Sequence, residues 1–123
     1  VTMEPYRYEC ASAEFEELAR VISDLFPEQT LFTEQRADDG PAALVAHWLA
    51  MRFGSTPKRM TLTMQVTVPA LARYRALPVR ARGRSYAVLR AFVEAALGSL
   101  EEQYASGAAV PREMTIELGD EFA

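Results

Sequence analysis

The chain has 123 residues, of which 50% are hydrophobic, 10% aromatic and 24% charged, with a net charge of −4. This balance excludes a disordered chain, a collagen-like repeat, a disulfide scaffold and a membrane span. It fits a single domain over 1–123 that buries roughly two thirds of its unfolded surface, with 1–10 as a flexible or loosely packed N-terminal segment.

The first element runs from about Ser12 to Phe26. Phe15, Leu18, Ala19, Ile22, Leu25 and Phe26 recur at helical spacing and make one apolar stripe. Ser12 suits the N-cap, and Glu14, Glu16 and Glu17 place negative charge where the helix dipole favours it. Pro27 stops the helix. Thr30 to Arg36 reads as a strand that ends at the turn Asp38-Asp39-Gly40-Pro41.

Ala43 to Phe53 fits two templates. As a helix it aligns Leu44 with Trp48. As a strand it sets Val45, His47, Leu49, Met51 and Phe53 on one face. Its position between two turn signals favours the strand. Met60 to Val68 is clearer, because Met60, Leu62, Met64, Val66 and Val68 alternate with Thr61, Thr63, Gln65 and Thr67. Such alternation describes a half-buried antiparallel strand.

Pro69 opens a short helix that Pro78 closes. The longest helix runs from Ser85, as N-cap, to about Ser106, with Gly107 beyond its end. Gly98 inside it suggests a close crossing with a neighbour. Met114, Ile116 and Leu118 then alternate as a last strand. The order is α-β-β-β-(short α)-α-β. It implies an α+β two-layer sandwich, with about four mainly antiparallel strands packed against one long and one shorter helix. The far face of the sheet, partly Thr and Gln, is then wet or an oligomer contact.

The charges are segregated. Residues 1–39 hold ten acids and three bases, 40–93 hold nine bases and no acid, and 94–123 hold seven acids and one base. Within the middle block Arg73, Arg75, Arg80, Arg82 and Arg84 cluster, interleaved with Tyr74 and Tyr86. Guanidinium groups before a helix N-terminus suit an anion or a protein partner. Acidic flanks folding back on the same chain would cancel that patch, with Glu14, Glu16 and Glu17 the nearest candidates. The sequence pI near 5.0 disfavours general nucleic-acid binding.

His47 and Trp48 are a possible pocket, a polar group beside an aromatic wall. A lone histidine and the lone Cys10 offer no metal cluster, and no nucleophile or phosphate-loop motif is present. No enzyme activity and no cofactor are therefore expected. Without a leader-like opening stretch or an apolar run of about 18 residues, the expected location is cytoplasmic.

The 20 Ala and 12 Arg against one Lys match the codon bias of a GC-rich genome. In general character the chain resembles short proteins of unknown function from GC-rich proteobacteria. Its element order and acidic pI are also similar to small secretion chaperones, which would imply a binder of an extended partner segment. The leading expectation is a non-enzymatic interaction module, either a homodimer or a binder of another protein. An anion or RNA binder using the Arg-rich loop is the alternative.

Overall fold

A computed structural model describes residues 5–36, 40–50, 57–107 and 111–123. The chain is α+β, with strands β1 (Arg7–Glu9), β2 (Leu31–Arg36), β3 (Ala42–Ala50), β4 (Lys58–Val66) and β5 (Glu113–Leu118). The helices are α1 (Ala13–Ile22), α2 (Val68–Ala76) and α3 (Gly83–Ser106). The strands lie in one sheet in the order β1-β2-β3-β4-β5.

The sheet has five strands where about four were expected, and it is mixed rather than mainly antiparallel. β2–β3 and β3–β4 pair antiparallel, whereas β1–β2 and β4–β5 pair parallel. The reason lies in the connections. Short links make antiparallel neighbours, but α1 separates β1 from β2, and α2 with α3 separates β4 from β5. A helical crossover returns the chain in its original direction, so the next strand pairs parallel.

The extra strand comes from the segment expected to be loosely packed. The amide of Arg7 donates to the Thr30 carbonyl at 3.0 Å. Tyr8 stacks on Phe32, with ring centroids 5.6 Å apart. Three residues are too few to show alternation in a sequence.

Most of the other elements agree with their spacing. Ser12 caps α1 by accepting from the Phe15 amide. That helix ends at Ile22, and a single 3-10 turn over Ser23–Leu25 leads to Pro27. Thr67 caps α2 in the same way through the Ala70 amide. The ambiguous segment is a strand; its expected continuation through Met51 and Phe53 lies outside the described residues.

Two details of the long helix differ. It begins at Gly83, so Ser85 sits inside the first turn rather than at the cap. The Ser85 hydroxyl is buried and donates to the Phe122 carbonyl at 2.6 Å. No close crossing occurs at Gly98, where an added Cβ would meet nothing within 4 Å. Gly107 does end the helix, at φ 77° in the left-handed region.

The core lies on one side of the sheet. Phe32, Leu44, Ala46, Trp48, Met60, Leu62, Met64, Val66 and Leu118 pack with Phe15, Leu18 and Ile22 of α1, Leu71 and Tyr74 of α2, and Leu89, Val93 and Leu100 of α3. Phe26 bridges Phe32 and Trp48 edge-on, at 5.4 and 5.2 Å between centroids. The two shorter helices therefore share one core with the long helix. Among the described residues no helix is long and apolar enough to cross a membrane.

Candidate functional site

The Arg-rich block was the first candidate, and folding answers most of it with acid. Arg75 meets Glu14 at 2.6 Å, and Arg36 approaches the same carboxylate at 3.6 Å. Arg73 reaches Asp120 at 2.8 Å and also donates to the Ala123 carbonyl. Arg90 makes two hydrogen bonds to Asp24, at 2.7 and 3.2 Å, and a third to the Val21 carbonyl. That contact explains a base near the positive end of α3, because Arg90 ties α3 to the end of α1. It also holds the Asp24 carboxyl below its ordinary value.

Arg82 and Tyr86 are absorbed as well. The Arg82 guanidinium lies over the Tyr74 ring, 4.7 Å from its centroid, and 3.9 Å from Glu17. The Tyr86 hydroxyl donates to Glu17. Burial, then that hydrogen bond, pushes the Tyr86 phenol up. Arg80 and Arg84 remain exposed and make no ion pair with a described residue. Arg84 borders a cleft of about 200 Å³ that Asp120 and Glu121 also line. Of the six residues expected to hold an anion, four are thus committed to neighbours in the same chain. Arg84 beside two acids and a separate Arg80 do not make an anion cradle.

Cys10 is not activated. Burial, aided by Glu34 and Glu16, raises its thiol to about 11, so a thiolate is scarce at neutral pH.

His47 and Trp48 both line a groove of about 480 Å³, together with Arg7, Gln29, Leu31, Leu49 and Arg59. Their side chains nevertheless point to opposite faces of the sheet, as those of successive strand residues must. Trp48 belongs to the core, 9% exposed. His47 lies on the other face, its ring nitrogens 3.2 Å from the Thr33 hydroxyl and 3.4 Å from that of Thr61. Burial, then Arg59, holds its pKa below the ordinary histidine value.

That second face is the surface the fold leaves uncovered by helices. Both helical crossovers step across the sheet in the same sense, from β1 to β2 and from β4 to β5. All four of these strands run in one direction. The right-handed preference of such crossovers then puts α1, α2 and α3 on one side.

The open face is built in rows. Register places Arg7, Leu31, His47, Thr61 and Glu113 in one row across all five strands. The next row is Glu9, Thr33, Val45, Thr63 and Thr115. A third holds Gln35, Ala43, Gln65 and Glu117. The centre is short and uncharged, with Val45 and Ala43 tucked between taller neighbours, 1% and 4% exposed. Charge is confined to β1, β5 and the Arg59 end of β4. Leu49 stands out at 60% exposed.

A family model matches residues 15–119, from the third residue of α1 to just past β5. The chain belongs to the DUF3022 family. That family is described as a protein of unknown function. No curated protein and no solved structure matches the chain. The matched region of the DUF3022 chain holds all three helices and four of the five strands, β1 alone lying before it.

Sequence reading placed Val45, His47 and Leu49 together correctly, and expected a Thr- and Gln-bearing far face. It did not find Arg7 or Glu113 as members of that face. The signal for Glu113 was present, since it alternates with Thr115 and Glu117. For Arg7 there was none, because β1 is visible only through its pairing.

Proposed function

We propose that this DUF3022 chain is a non-enzymatic interaction module that self-associates through the open face of its sheet. The observation that carries the reading is the one-sided distribution of helices. The described helices crowd one face, while the other presents Thr and Gln beside a nearly buried Val45 and Ala43 on the three central strands. Short uncharged side chains on a broad sheet face resemble half of a sheet-on-sheet sandwich. They supply neither a deep cavity nor convergent reactive groups. The neutralised arginines support the same reading, because they remove the competing anion site.

Sedimentation equilibrium from micromolar to millimolar chain tests the proposal. A mass that rises toward the dimer is expected, and Thr63→Lys should hold the protein monomeric with its fold intact by circular dichroism. A strict monomer throughout that range would sink the reading.

A further inference from the structure

We infer that the two copies stack face to face about a two-fold axis running along β3, so that β1 of each copy covers β5 of the other. This rests on the self-association reading and adds its geometry. Two stacked sheets related by a two-fold axis in the plane between them have two simple choices. The axis lies along the strands or across them.

An axis across the strands, centred on Val45, sets each strand on its own copy, running the other way. β5 then faces β5, with Glu113 opposite Glu117 of the second copy, and Glu9 opposite Glu9. Acids meet acids at both edges, an arrangement that like-charge repulsion disfavours.

An axis along β3 keeps every row at its own level and reverses the strand order. Arg7 then lies opposite Glu113 of the second copy, and Glu113 opposite Arg7, because these residues end the same row. Both are exposed strand residues at the rim; within its own copy Arg7 pairs with the exposed Glu9 at 3.3 Å, a surface contact that Glu113 of the second copy would share. Inside that rim Thr33 meets Thr63, and Gln35 meets Gln65. Val45 and Ala43 lie on the axis, sheltered by the Thr and Gln side chains that meet across it. No like charges oppose one another within these rows. Aligned sheets pack about 10 Å apart at roughly 30°, a gap that an arginine and a glutamate span together.

The size of the patch sets the strength. Five strands about 4.8 Å apart and three rows about 7 Å apart span a field of roughly 20 by 14 Å. That is small beside the roughly 800 Å² per partner of a standard interface. Association in the micromolar range or weaker is expected, sensitive to two symmetric rim pairs.

Charge reversal tests the axis. Arg7→Glu and Glu113→Arg should each weaken dimerisation roughly tenfold in sedimentation equilibrium, and the double variant should restore it. Thermal melts of each variant check that β1 and β5 still pair. If the single variants leave association unchanged, or the double variant is weaker than either, the axis is wrong. Should Thr63→Lys still give a monomer in that case, self-association through this face stands without it. A wild-type chain that never dimerises overturns both.

Discussion

β4 separates two environments within a single strand. Leu62 and Met64 point into the helical side and are fully buried, while Thr61, Thr63 and Gln65 point to the open side and are half-buried. The same backbone serves both, so the difference lies in what covers each face. On the helical side, apolar burial and ion pairs between distant parts of the chain act together. On the open side, the sheet's own neighbours supply the cover, and little stability is invested there.

The sharpest way to break this contrast is to truncate one residue on each face. Leu62→Ala should cost about 3 kcal/mol in chemical denaturation, the transfer loss plus a cavity. Thr63→Ala, one residue on, should stay within about 0.5 kcal/mol. Equal costs would mean that the open face is part of the core.

Acid should act next, and on the helical side. Burial pushes the Glu34 carboxyl up, but Arg36 and two hydrogen bonds from Ser12 outweigh it, so its net shift is downward. Asp24 is lowered by Arg90. A carboxyl lowered in the folded state adds stability above the ordinary carboxylate range. That stability is lost as pH falls through the folded value. Unfolding midpoints should therefore drop as pH falls below the ordinary carboxylate values, and Glu34→Gln should flatten the acid limb. An unchanged limb would show that Ser12 and Arg36 do not hold that carboxylate in solution.

Smaller effects come from the ion pairs and from α3. Glu14→Ala leaves Arg75 and Arg36 without their shared carboxylate and should cost about 1 kcal/mol, less in high salt. Salt-independent loss would point to packing instead. Gly98→Ala should raise stability by roughly 0.5–1 kcal/mol, because a methyl group there meets nothing and the helix gains from alanine. A fall would mean that a neighbour does cross at that point.

Much of the helical side was legible in the sequence. The stripe of α1, the alternation of β4 and the long stripe of α3 each carry a period that only one element satisfies. The segregated charge also pointed the right way, since Glu14 and Glu17 do meet Arg75 and Arg82. Three features were not legible. β1 is too short to have a period. The parallel pairings follow from which strand a helix returns to, and no local spacing encodes that. That His47 rather than Trp48 takes the open face needs the knowledge of which strand face meets the helices. Both faces of β3 are apolar at Leu44 and Val45, so composition alone does not choose.

The strands lie across the sheet in the order in which they are made, and this has a kinetic consequence. Residues 31–66 form a meander whose pairings join near neighbours in the chain, whereas β1, β5 and the Arg–acid pairs close longer loops. Loop closure favours the near pairings first. Pulse-labelled amide exchange during refolding should protect β3 and β4 before β5, and the ties from Arg75 to Glu14 and from Arg90 to Asp24 should close last. The charge segregated along the chain would then act as a late clasp on a core already formed.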